Sequence, residues 1–333
     1  MALIHFLHVK EGACSIIQHE DNKVSMIDVC SASNIAVTEK ASILAGISKN
    51  FSVTETVNPK GNFSHEFTNP TEYLANLRVN EIFRYIQTHP DMDHMDGLAS
   101  IRETFFIRNF WDIKNNKEKP KFPNPKGYKE EDWDCYQMLR SSKESPKSLN
   151  IYAGEQGLYY SKDKNGVKKD DVLLVLSPNK ALVKDAEKQK NWNCASYVLL
   201  YKSHCYKILF GGDADENTMD YILEHFQDEV SNIDVLIAPH HGRACNQDFT
   251  YLKHMNPKLV LIGDAPSQYL NYFDGYNHLT TNQGGNILIE TSPRKLNVYI
   301  DNATFAVALA RKNNQLTITT HPNNKGLYLY QQL

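Results

Sequence analysis

Residues Thr88 to Gly97 read THPDMDHMDG and follow directly on the apolar run Ile82-Phe83-Arg84-Tyr85-Ile86. His89, Asp91, Asp93 and His94 fall at i, i+2, i+4 and i+5, so they cannot all share one face of a helix. They converge if a strand ends there and the chain wraps into a tight loop. Imidazole and carboxylate are ligands for divalent transition metals, and a loop with this many donors has enough for two ions. A plain polar turn is a poor alternative, because four such side chains repel or compete unless a cation joins them. An EF-hand would use Asp91 and Asp93 at its first positions. It then needs a ligand where Met95 stands and a glycine where Asp96 stands, which excludes it.

The pattern His-x-Asp-x-Asp-His resembles the His-x-His-x-Asp-His signature of the metallo-β-lactamase superfamily, with Asp91 in place of the second histidine. That variant looks like the metallo-hydrolase domain of ComEC-type DNA-uptake competence proteins and their soluble relatives. The opening of the chain is similar too: FLHVKEGAC and then MIDVC stand where the family has FLxVxxGxA and an Ile-Asp, with His8 at the family's usual Asp. The resemblance implies an α/β fold, the αββα sandwich of two mixed sheets flanked by helices. It implies divalent metal and the hydrolysis of esters, amides or phosphodiesters.

The chain has 333 residues, enough for one large α/β domain or two small ones, and a formal net charge of −3. A dedicated nucleic-acid binder would be strongly basic, so any nucleic-acid contact must be local. Six cysteines are scattered without a CxxC pair, which suits a reducing, cytoplasmic compartment. The start, MALIHFLHVKEGACSII, lacks the pattern of a signal peptide, and no apolar run is long enough to span a membrane. No membrane association is therefore expected. Neither a Walker A loop nor a dinucleotide-binding glycine pattern occurs.

Strands are expected at 2–9, 14–18 and 23–28, the first two joined by the turn Lys10-Glu11-Gly12-Ala13. Helical turns are expected at 39–46. Asn69-Pro70 starts a helix, a strand at 81–88 delivers the ligand loop, a helix runs over 97–105 and a strand over 105–111. That places the site at a strand's C-terminal end, where open α/β sheets hold ligands. Residues 112–171, rich in Lys, Pro and Asn, read as a variable insertion within a single domain spanning 1–333, with a short helix near 133–139. Lys119 and Lys121, with Phe122, Tyr128 and Trp133, are candidates for contacts to phosphates and bases. Strands at 149–153, 172–177, 195–201, 206–211, 233–238 and 258–263, with helices at 216–227 and 248–255, form the second half. Further strands are expected at 285–290, 295–300, 304–309 and 315–320.

Three more places carry chemistry. Asp213 ends a buried strand at FGGD, where two glycines let backbone approach closely; in the resembling family a Gly-Asp here bridges two metals. Pro239-His240-His241-Gly242 follows the apolar IDVLIA and is similar to the family's His-His-Gly-Ser, with Arg243 in the serine's place. The resemblance favours His240 as ligand and leaves His241 for catalysis, although sequence hardly separates them. Arg243 is a candidate phosphate clamp. The resemblance implies that Asp28 orients a metal-binding histidine, with a structural strand-end cap as the competing reading, and Asn193 with Ser196 is similar to the Asn-x-x-Ser of ComEC-type domains. The family's further histidine before the Gly-Asp has no counterpart; Cys194 is the nearest substitute. His278, in a late GYNH loop, is a candidate proton donor to a leaving oxygen.

The expected activity is that of a two-metal phosphodiesterase or nuclease. A nucleic acid or nucleotide would be the substrate, and Asp93 would orient the attacking water as well as bind metal. Because Asp91 replaces an imidazole, the first site is richer in oxygen, which shifts preference from Zn²⁺ toward Mn²⁺ or Mg²⁺. A lactonase or small-molecule esterase of the same fold is the alternative enzyme, and a non-catalytic metal-binding sensor is the alternative from another class. A role as a defence effector, or with a protein partner from the same operon, is compatible with the motifs. Sequence leaves the oligomeric state open.

Overall fold

A computed structural model describes residues 1–31, 66–163, 165–167, 171–243, 249–263, 267–315 and 317–333. Strands β1 (Ala2–Phe6), β2 (Ser15–Gln18) and β3 (Val24–Ile27) form an antiparallel meander, followed by the short β4 (Val29–Cys30). Gly12 in the first turn is dictated by a close approach: a Cβ there would lie 1.8 Å from the Asp93 carbonyl oxygen. Helix α1 (Pro70–Asn76) starts as expected, the Asn69 side chain accepting from the Thr71 and Glu72 amides. Then come β5 (Glu81–Ile86), β6 (Met95–Asp96), α2 (Leu98–Thr104) and β7 (Phe106–Trp111), with β5 parallel to both β3 and β7. Residues 112–171 supply α3 (Glu130–Ser141), which buries Trp133, Tyr136 and Leu139, and β8 (Lys147–Leu149), paired parallel to β7.

The second half holds β9 (Val172–Ser177), α4 (Lys180–Gln189), β10 (Val198–Ser203), β11 (Tyr206–Phe210), α5 (Glu216–Val230), β12 (Val235–Ile237), α6 (Tyr251–Met255), β13 (Leu259–Ile262) and β14 (His278–Thr280). The chain then returns through α7 (Thr281–Gly284), β15 (Ile287–Ser292), β16 (Lys295–Ile300), α8 (Ala303–Lys312), β17 (Thr320–His321) and β18 (Asn324–Gln332). A ten-stranded sheet runs β17-β18-β16-β15-β1-β2-β3-β5-β7-β8, and a six-stranded sheet runs β14-β13-β12-β11-β10-β9.

Side-chain alternation along the strands builds the layers. Ile17 of β2, Leu199 of β10, Ile208 of β11 and Leu261 of β13 meet in one core between the sheets. Their neighbours point the other way. Ile16 and Met26 join Leu74, Leu98 and Trp133 in a second core under α1, α2 and α3. Leu200, Leu209 and Val260 join Met219, Ile222 and Leu252 in a third, under α5 and α6. This is helix, sheet, sheet, helix: the expected αββα sandwich.

Several local expectations need correction. Residues 304–309 are helical, within α8. Four alanines and a leucine favour helix there, and the Asn302 side chain caps the Phe305 amide. The last strands are β17 and the nine-residue β18 rather than 315–320. The strand at 149–153 ends at Leu149, and α4, capped by Asn179, had no counterpart among the expected elements. The helical turns at 39–46 lie outside the described residues.

Candidate metal centre

Strand β5 stops at Ile86, and the chain turns through Gln87 and Thr88 into a short 3₁₀ turn at Met92–His94. Buried Gln87 holds that loop shut, its Nε2 donating to the carbonyls of His89 (2.9 Å) and His94 (3.0 Å). Asp28, just past β3, accepts from the Thr88 amide (2.7 Å) and hydroxyl (2.6 Å) and from His94 Nδ1 (2.7 Å). The Tyr197 amide donates to the Thr88 carbonyl at 2.9 Å, joining the loop to the second sheet.

From that second sheet, β11 delivers Asp213 through Gly211-Gly212. Gly212 has φ of +52°, and a Cβ on it would lie 2.4 Å from Ser196 Oγ and 2.5 Å from the Tyr197 carbonyl. That same Ser196 hydroxyl accepts the Asp213 amide at 3.0 Å. Past β12, His240 and His241 both take positive φ, +49° and +56°. Strain of this kind in consecutive non-glycine residues concentrates at functional sites, and here it turns the two imidazoles different ways.

The result is a buried convergence of lone pairs. His94 Nε2 lies 3.2 Å and His241 Nε2 3.6 Å from Asp213 Oδ1, while His89 Nε2 is 3.7 Å and His240 Nε2 3.8 Å from Asp213 Oδ2. Asp93 Oδ2 is 3.9 Å from His241 Nε2. His89 Nε2, His94 Nε2, His241 Nε2 and Asp213 Oδ1 are all buried without a hydrogen-bond partner. Two ligand groupings result among the described residues: His89, His94 and Asp213, and Asp93, His94 and His241. Unpaired buried polar atoms are costly, and a cation in either grouping satisfies the members of that grouping, so these residues fit a divalent metal.

Burial pushes His241 down to about 4, with the positive charges of His94 and Arg243 adding to it against Asp213 and Asp93. Burial lowers His89 as well, and the charge on His94 deepens the effect. For His94 burial opposes the charged form, but Asp213 and Asp28 together hold it well above the usual histidine range. Asp213 is buried, which alone would raise it; the charges on His94, His241 and His89 hold it well below the carboxylate range. The pocket is thus built for a carboxylate facing positive charge.

No protein-family model matches the chain, and neither does any curated protein. Solved structures resemble it at low identity. A diphosphatase of the PhnP family aligns at 10% identity over 88% of this chain and 98% of that one, with a TM-score of 0.44. CmlA, a diiron β-hydroxylase from Streptomyces venezuelae, aligns at 10% identity with a TM-score of 0.45 over 87% of this chain and 54% of that one, so the chain spans about half of its length. The metallo-β-lactamase SMB-1 aligns at 9% identity over 71% of this chain and 76% of that one, with a TM-score of 0.33. The chain folds as an αββα sandwich.

Within that sandwich, the structure gathers His89, Asp93, His94, Asp213, His240 and His241, with Asp28 and Ser196 behind them. Four expectations are corrected. His241, not His240, sits in the buried ligand grouping; the His240 side chain is 24% exposed, at the solvent edge. Asp91 joins neither grouping, and its carboxylate is ion-paired with Lys117. His278 stands at the start of β14, opposite Val260, with Nδ1 on the Tyr276 carbonyl. The ligands lie beyond the other ends of the neighbouring strands, so His278 is not brought to them. Lys119 is taken up by Glu130 and Asp134 at 2.7 and 2.6 Å, and Lys121 is exposed.

Trp133 is buried, and Phe122 and Tyr128 are partly buried against the core under α1, α2 and α3. Asn193 contributes backbone, its carbonyl accepting the Ser196 amide at 3.1 Å. Cys194 is buried outside both ligand groupings. Residues that sequence reading missed are Gln87, Thr88 and Lys117. The first two were legible as polar residues ending an apolar strand; Lys117 carried no signal beyond its place in a lysine-rich run. No helix among the described residues is long and apolar enough to cross a membrane.

Proposed function

We propose that this protein is a metal-dependent hydrolase of phosphodiesters, with nucleic acid or nucleotides as the substrate class. The observation that carries the metal is the meeting of three unpaired imidazole nitrogens and the Asp213 carboxylate in one buried pocket at the strand ends. Two imidazoles, His94 and His241, with two carboxylates, Asp93 and Asp213, form a mixed donor set suited to Mn²⁺ or Zn²⁺. A divalent ion bound there supplies Lewis acidity toward a phosphoryl oxygen.

The chain's own residues do the rest. Asp28 accepts the Nδ1 proton of His94, which turns the Nε2 lone pair toward the pocket. Asp93, with a side chain 24% exposed, faces the pocket mouth and orients the attacking water. His240 Nε2 stands between Asp213 and solvent, where it hands a proton to the departing oxygen. Arg243, whose positive charge is felt at His241, grips a phosphate, and this favours phosphodiesters over neutral esters or lactones. The likeness to ComEC-type domains rests on the His89 to His94 pattern and points the same way.

The test is a panel of bis(p-nitrophenyl) phosphate, single-stranded DNA, RNA, p-nitrophenyl acetate and a homoserine lactone, each with Mn²⁺ or Zn²⁺ added. Phosphodiester turnover that needs added Mn²⁺ or Zn²⁺ and vanishes in Asp93→Ala is expected. Ester or lactone turnover alone would move the protein to the esterase reading, and no turnover with metal bound would leave a sensor.

A further inference from the structure

Lys117 lies in the 112–129 segment, within the lysine-rich run, yet it is the residue that reaches the ligand loop. Its ammonium is ion-paired with Asp91 Oδ1, and Asp91 Oδ1 is 3.9 Å from the unpaired His89 Nε2. This is a held position. The Lys117 amide donates to Asn115 Oδ1 at 3.2 Å, closing an Asx turn. Asn115 is in turn fixed from α3: its Nδ2 donates to the Tyr136 hydroxyl at 2.7 Å, and Arg140 donates to its Oδ1 at 2.9 Å and its carbonyl at 3.0 Å. Arg140 is anchored by buried Asp112 at 3.1 Å, and Tyr136 donates to the same carboxylate at 2.9 Å. A buried polar scaffold thus aims one lysine at Asp91.

The ligand arithmetic shows what that does. One ring nitrogen has one lone pair, so His94 Nε2 serves only one of the two groupings that contain it. With Asp93 and His241 it makes a three-donor set, and Asp213 Oδ1 lies 3.2 Å from His94 Nε2 and 3.6 Å from His241 Nε2. What remains for a second ion is His89 Nε2, Asp213 Oδ2, His240 Nε2 and Asp91. The Lys117 ammonium already neutralises Asp91, and a divalent ion beside it would face like charge.

Resting on the metal-dependent reading above, we propose that Lys117 takes the place of the first cation, so that the centre binds a single divalent ion. Asp91 is then a counter-ion that positions Lys117 rather than a ligand. Lys117 supplies a fixed positive charge on the His89 side of the pocket, where a substrate phosphate would otherwise meet a second metal.

The experiment is metal stoichiometry, by calorimetric titration of metal-stripped protein with Mn²⁺ or Zn²⁺ and by mass spectrometry of the loaded protein. Wild type and Lys117→Arg are expected to bind one ion per chain, and Lys117→Met two, all three with the same far-ultraviolet spectrum. Two ions in wild type overturn the proposal, as does one ion in a folded Lys117→Met. The wild-type count decides the matter if Lys117→Met does not fold. Binding of no ion by any of the three would instead overturn the metal-dependent reading itself.

Discussion

Replacing Asp28 by Asn exchanges one carboxylate oxygen for an NH₂ group and tests how the centre is aimed. The carboxylate is 1% exposed and accepts three hydrogen bonds, from the Thr88 amide and hydroxyl and from His94 Nδ1. In Asp28→Asn the amide oxygen still accepts from the Thr88 amide, but an NH₂ group replaces the oxygen that faced Thr88 Oγ1 and His94. The hydroxyl rotates to accept. The imidazole must shift its proton to Nε2 so that Nδ1 accepts. Nε2 is the atom 3.2 Å from Asp213 Oδ1, and with a proton there it no longer offers a lone pair to metal. Loss of such an orienting partner typically weakens metal binding about 10–100-fold, roughly 1.4–2.7 kcal/mol. Calorimetric titration of metal-stripped protein with Mn²⁺ measures this directly, with thermal unfolding of the metal-free form as control. Wild-type affinity in a folded Asp28→Asn would refute the reasoning, because His94 would then not depend on Asp28 for its tautomer.

Other substitutions probe the rest of the account. Gly212→Ala places a Cβ 2.4 Å from Ser196 Oγ at φ of +52°, so it is expected to cost roughly 1–3 kcal/mol in stability and to move Asp213; unchanged melting and metal content would contradict this. Asp112 is raised from 3.8 to about 7 by burial, against the pull of Arg140. A carboxyl with a raised folded value contributes stability that is present below pH 3.8 and is lost as pH climbs to about 7, on the order of 4 kcal/mol in all. The melting temperature of wild type relative to Asp112→Asn should therefore fall between pH 4 and pH 8; a constant difference counts against it. Lys119→Ala should leave turnover unchanged, since its partners are Glu130 and Asp134 rather than substrate, and a many-fold loss would return Lys119 to the substrate path.

The parts of the fold legible in the sequence were those with a single strong period or a cap. Alternation gave the meander at 2–28, and Asn69-Pro70 gave the start of α1. The stretch 304–309 misled because TFAVAL alternates like a strand, while its alanines and the Asn302 cap favour helix. The candidate ligands His89, Asp93, His94 and Asp213 were legible because each follows a buried strand of one of the two packed sheets. Which of His240 and His241 turns inward was not legible, since two successive positive φ values set it and neither residue type announces them. Lys117 was hidden for another reason. Its position comes through Asn115, two residues away, whose own partners Tyr136 and Arg140 are distant in sequence, and every lysine in that run looks alike until those contacts form.

The most direct test of the central claim is metal content by mass spectrometry on purified wild type and Asp213→Ala, each checked for fold by circular dichroism. Asp213 faces three buried imidazoles, so the account predicts bound divalent metal in wild type and little in a folded Asp213→Ala. Equal metal in the two proteins, or none in wild type after loading with Mn²⁺ and Zn²⁺, would contradict it.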